Sequence, residues 1–190
     1  MNSRAFTIIE LLISVAIFAA MTGLVVAKYG NFNQSVLLTN LAYDVALTIR
    51  TAQTYGLSVK NSDAGSGTDF QSGYGVRLDT NTGYNQEIIF FADRDNSGTY
   101  TNNTELISTY AVKRGAIIKG VCLLDASTCT PSQGSYLDIV FKRPNPDALM
   151  KIDGICPVTV CSYAGISVMA TDGGVRTISV RENGQISVNE

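Results

Sequence analysis

The run Phe6 to Ala27, FTIIELLISVAIFAAMTGLVVA, limits what this chain can become more than any other stretch, because it is apolar throughout except for one charge, Glu10. At a rise of about 1.5 Å per residue, its roughly 22 residues make a helix about 33 Å long, which matches the hydrocarbon core of a bilayer. One membrane-crossing helix is the expectation. An acid in such a helix costs up to about 3 kcal/mol even on lenient insertion scales, so Glu10 is expected to have a partner and a task.

Beyond the run, Gly23 and Gly30 punctuate a helix that meets no proline before Pro131. Glycine in a helix interior costs about 1 kcal/mol relative to alanine, so local loosening is expected there. After Asn33 the pattern turns amphipathic: Leu38, Leu41, Val45, Ile49 and Ala52 recur at helical spacing, with Asn40, Asp44 and Arg50 left to face elsewhere. The helix is expected to run to about Tyr55 and stop at Gly56, its second half packed on a domain.

Asn61 to Gly73 reads as a polar loop. Short runs rich in Val, Ile, Tyr and Phe then follow: Tyr74 to Leu78, Glu87 to Ala92, Glu105 to Val112, Ala116 to Leu123 and Tyr136 to Lys142. Arg143-Pro144-Asn145-Pro146 is expected to break the sheet. Gly165 to Ala170, Val175 to Val180 and Gln185 to Val188 close the chain, with turns at Asp172-Gly173-Gly174 and Asn183-Gly184. The predicted fold class is α+β, a long N-terminal helix on a mostly antiparallel sheet. The expected divisions are a leader 1–5, a helix 6–55 whose 6–27 part crosses the membrane, and a β-rich domain 56–190.

Composition excludes more than it selects. The chain has 190 residues, a net charge of −2 and no histidine or tryptophan. Without histidine there is no Ser-His-Asp or Cys-His arrangement and no imidazole metal site, and no other catalytic motif stands out, so no enzymatic activity is expected. Lys113, Arg114 and Lys119 lie in one region and Arg176 and Arg181 in another, without an arginine cluster in the last hairpin. Scattered charges of this kind are a solvated face, and no nucleic-acid partner is expected.

Four cysteines, Cys122, Cys129, Cys156 and Cys161, form an even set in the C-terminal part of the chain. If that part lies outside the cytoplasm they are disulfide candidates, with three connectivities open. The local pairing, Cys122 with Cys129 and Cys156 with Cys161, closes short surface loops and is preferred. The spacing is too wide for a usual cysteine zinc site.

Asp93-Arg94-Asp95-Asn96-Ser97-Gly98 has oxygens at alternate positions and glycine at the sixth, like the first half of a calcium loop. It then departs: the twelfth position is Thr104, Glu105 comes one residue late, and a strand precedes it where a helix is usual. Two readings stay open, a polar hairpin turn and a partial calcium site of Asp93, Asp95, Ser97 and a backbone carbonyl near Thr99.

The segment Ala5-Phe6-Thr7-Ile8-Ile9-Glu10-Leu11-Leu12-Ile13 closely resembles the N-terminal signature of type IV prepilins and type II secretion pseudopilins. The resemblance implies a prepilin peptidase cut between Ala5 and Phe6, methylation of the new amine, and Glu10 as the fifth mature residue. The residue before the cut is Ala5, where the family usually has glycine. The helix LAYDVALTIRTAQTYG, the Asp-rich turn and the closing Val-Arg-x-Ile-x-Val hairpin resemble minor pseudopilins of the GspH/FimT type. Implied partners are other pilin subunits, the peptidase and an inner-membrane assembly platform; the implied location is the inner membrane, then a pilus or a periplasmic pseudopilus. Three alternatives are a major pilin, a DNA-uptake minor pilin, and a secreted binding protein cut by signal peptidase after Ala27. Against the last stand the length of the apolar run and the acid inside it.

Overall fold

The computed structural model describes residues 6–58, 72–113, 115–124, 134–156 and 161–189, and of 28–34 only the helical backbone. The leader, most of the predicted polar loop, Arg114 and Cys129 lie outside the described residues. Helix α1, Ile8–Leu57, is followed by β1 (Gly73–Asp79), β2 (Glu87–Asp93), β3 (Leu106–Ala111), β4 (Ile117–Leu124), β5 (Tyr136–Phe141), β6 (Ala148–Ile152), β7 (Tyr163–Met169), β8 (Val175–Arg181) and β9 (Ile186–Asn189). The chain divides into two compact units, Met1–Leu37 and Leu38–Glu190.

In the first unit, every described side chain from Phe6 to Ala27 is exposed, and Ile8–Ala27 is long and apolar enough to cross a membrane. The helix forms because all its backbone bonds are satisfied within the segment, the condition a lipid interior imposes. A Cβ added at Gly23 meets nothing within 4 Å, so no contact among the described residues demands glycine there.

The second unit is an α+β fold. Leu38, Leu41, Ala42, Val45, Ala46, Ile49 and Ala52 form one buried face of the helix, while Asn40, Asp44 and Arg50 are exposed, as the spacing predicts. Ala42, Ala46 and Ala52 keep that face shallow, and the side chains of two sheets close over it in a single hydrophobic core. One sheet has five strands in the order β3-β2-β1-β5-β6, the other four in the order β4-β7-β8-β9, and every pairing is antiparallel. Tyr55 sets its ring edge-on to Tyr74 and Phe90, at 5.7 and 5.3 Å between centroids. Gln53 Nε2 donates to the Gly184 carbonyl at 3.0 Å, tying the helix to the last hairpin.

Two expectations are corrected. Gly56 does not end the helix, which runs to Leu57; a Cβ there would collide with the Phe141 carbonyl, so glycine lets β5 approach the helix. The Pro144-Asn145-Pro146 stretch does not end the five-stranded sheet. β6 follows it and pairs with β5 from Leu137↔Ile152 to Phe141↔Ala148. Its alternation of buried Ala148, Met150 and Ile152 with outward Leu149 and Lys151 is the two-residue period of a half-covered edge strand.

The five-stranded sheet has a second, outer face, and the connection between β2 and β3 lies across it. Tyr100 from that connection lies tilted against Phe91, with ring centroids 5.5 Å apart, and under the Arg77 guanidinium at 5.2 Å. Gly98, with φ of 72°, has no room for a Cβ beside Leu149. Lys151 Nζ donates to the Ser97 carbonyl at 2.5 Å, and Lys142 Nζ to Asn96 Oδ1 at 2.5 Å. Beneath the connection, Arg77 and Asp138 face each other as cross-strand partners and form a bidentate ion pair at 2.7 and 2.6 Å. Burial pushes the Asp138 carboxyl above the usual carboxylate range, while the Arg77 guanidinium pulls it back down.

Candidate functional site

At the start of the helix, Thr7 stands immediately before the first helical residue, Ile8. Its hydroxyl accepts the Glu10 N–H at 3.3 Å, and Glu10 Oε2 accepts the Thr7 N–H at 3.3 Å and the Thr7 hydroxyl at 3.1 Å. This reciprocal arrangement is a capping box, with Glu10 also at the positive end of the helix dipole. Thr7 is the residue that sequence reasoning passed over, although Thr-x-x-Glu ahead of an apolar run was there to be read.

Further along, Ser14 donates to the Glu10 carbonyl and Thr22 to the Phe18 carbonyl, both at 2.7 Å. All four polar side chains between Phe6 and Ala27 are therefore hydrogen-bonded within the helix. Hydroxyls can bond back four residues at little cost, whereas a carboxylate has acceptor sites beyond those that Thr7 fills. Glu10 is thus the one charged group on an otherwise uniform apolar surface, and Phe6, 71% exposed, precedes it by four residues.

The second cluster sits where β2 ends. One carboxylate oxygen from each of Asp93, Asp95 and Glu105 lies within 4.8 Å of the others. Asp93 and Glu105 are buried, each about 2% exposed. Asp93 Oδ2 accepts the Gly98 N–H at 3.1 Å, whereas its buried Oδ1 has no hydrogen-bond partner. Burial and the neighbouring Asp95 and Glu105 carboxylates push the Asp93 carboxyl up to about 6. Hydrogen bonding from Ser97, whose N–H donates to Asp95 Oδ1 at 2.9 Å, holds Asp95 below the usual range.

Of the residues predicted for a calcium loop, the structure brings Asp93 and Asp95 together. Ser97 Oγ donates to the Thr99 carbonyl at 2.9 Å, so these two bond to each other. Glu105, set aside for arriving one residue late, completes the group. Its carbonyl accepts the Ala92 N–H at 2.9 Å, so strand pairing, rather than spacing along the loop, places it beside Asp93.

Cys156 and Cys161 are disulfide-bonded with Cα atoms 6.0 Å apart, as the local pairing predicts. Cys122, buried on β4, is also disulfide-bonded. Its expected partner, Cys129, lies outside the described residues.

A lone apolar helix with a capped acid in its first turn, followed in the chain by an α+β unit, fits a membrane-anchored precursor. Residues 1–26 match the family described as the prokaryotic N-terminal methylation motif, which supports a type IV pilin or pseudopilin relationship. Such a motif implies processing by prepilin peptidase and assembly with other pilins. No curated protein and no solved structure is significantly similar to the chain.

Proposed function

We propose that this chain is a filament subunit: inserted in the inner membrane as a precursor, cut between Ala5 and Phe6, N-methylated, and assembled into a type IV pilus or type II secretion pseudopilus. The observation that carries this reading is Glu10, the one acid in the stretch from Phe6 to Ala27, whose side chains are all exposed and, apart from three hydroxyls and that acid, apolar. Cleavage makes Phe6 N a cation in an apolar setting. Within one helix that amine and the Glu10 carboxylate are held a turn apart, and Thr7 already occupies Oε2. Between axially shifted copies the two charges can meet, so each subunit supplies what its neighbour lacks.

The apolar helix then forms the filament core and the sheet domain its surface. The chain has no catalytic role and is itself the substrate of the peptidase. Within the family we assign it to the minor pseudopilins of the GspH/FimT type, on the strength of the closing β8–β9 hairpin and the Asp-rich connection. Subunit copy number in purified filaments separates a minor from a major role.

Mass spectrometry of the mature N-terminus tests the reading. A methylated Phe6 is the expected result. A mature chain beginning at Lys28 would show release by signal peptidase and overturn it.

A further inference from the structure

The three carboxylates at the β2–β3 connection have no role in assembly through the helix, and their geometry asks for a ligand. Asp93 is buried, yet its Oδ1 accepts no hydrogen bond. An unpartnered buried carboxylate oxygen carries the full cost of desolvation, and native proteins rarely leave one so. Its neighbours make the cost larger, because Asp95 and Glu105 place two more carboxylates within 4.8 Å and offer no proton donor when ionised. A hard cation among them removes both penalties together.

We propose that Asp93, Asp95 and Glu105 bind one calcium ion, which fastens the β2–β3 connection over the outer face of the five-stranded sheet. Calcium–oxygen bonds of about 2.3–2.6 Å put ligand atoms on a sphere about 4.6–5.2 Å across, and a mutual separation within 4.8 Å fits it. Magnesium demands near-ideal octahedral geometry and keeps several waters, whereas calcium accepts an irregular set of carboxylate and carbonyl oxygens such as this connection offers. The backbone is already shaped for the loop: Asn96 and Gly98 take the left-handed conformation, with φ of 57° and 72°. The connection the ion would fasten carries Tyr100 over Arg77 and Phe91 and Gly98 against Leu149, so cation binding is coupled to coverage of that face.

The test uses the full-length protein in detergent micelles, stripped with EGTA and titrated calorimetrically with calcium chloride. One ion per chain is expected, with a Kd between about 10 µM and 1 mM, in the range of sensor and extracellular calcium sites. In saturating calcium the Tm should rise by about 3–8 °C over the EGTA state, and proteolysis between Asp95 and Thr104 should slow. Asp95→Asn, at an exposed position, and Glu105→Gln should each weaken binding at least about tenfold and erase the Tm rise. The proposal is overturned if calcium gives neither heat nor a Tm shift, if magnesium does as well as calcium, or if both variants bind like the parent chain.

Discussion

The first unit and the second treat apolar surface and charge in opposite ways. From Phe6 to Ala27 every side chain is exposed and the only acid has a threonine for a partner. From Leu38 onward the same kind of helix buries one face completely, and Asp138, the most deeply buried acid among the described residues, holds a bidentate arginine. The second unit pairs its buried Asp138 internally and leaves Asp93 Oδ1 without a hydrogen bond, while on the proposed reading the first finds its partners in lipid and then in other copies.

The sharpest way to break that contrast is Glu10→Ala. On the proposed reading it inserts in the membrane normally but is absent from purified filaments, a near-complete loss seen by immunoblotting sheared fibres. Normal incorporation would make the first unit a plain anchor. Next in size is Arg77→Ala, which strands the Asp138 carboxylate and should cost about 3–5 kcal/mol in denaturant unfolding near neutral pH. Without the guanidinium the Asp138 carboxyl rises further. The folded variant then holds a proton that the unfolded chain releases, so its deficit shrinks as pH falls below that raised value and grows as pH climbs through it.

Apolar truncation separates the two units again. Ile49→Ala, at a fully buried position, should lower unfolding stability by about 2–4 kcal/mol, whereas Leu12→Ala, on the exposed helix, should move it by less than about 0.5 kcal/mol. Equal losses would show that the apolar run is covered within the chain. The most local effect belongs to Thr7→Val, which removes the capping hydroxyl. It should destabilise the first turn by about 1 kcal/mol, read as faster amide exchange at Ile8 to Leu11 in micelles with the rest of the helix unchanged.

Much of this fold was legible in the residues. The apolar run, the amphipathic spacing from Leu38 to Ala52, eight of the strands and the local Cys156–Cys161 pairing follow from periodicity and proximity along the chain. β6 was missed because two prolines read as a break, although Ala148-Leu149-Met150-Lys151-Ile152 alternates as a strand should. Gly56 was read as a stop because nothing in its neighbours announces that Phe141 passes over it. Glu105 was discounted because loop spacing was counted along the chain, where the distance that matters runs across the β2–β3 ladder.

By itself the sequence determined what depends on near neighbours: a helix of membrane length, a threonine three residues before a glutamate, and strands that alternate. Tertiary structure alone decided which distant residues share a space. It divided the strands between two sheets, set Arg77 opposite Asp138, and brought Glu105 back to Asp93. The physical reason is that hydrogen-bond periodicity and capping act over a few residues, whereas desolvation and charge pairing act through space, wherever the chain returns.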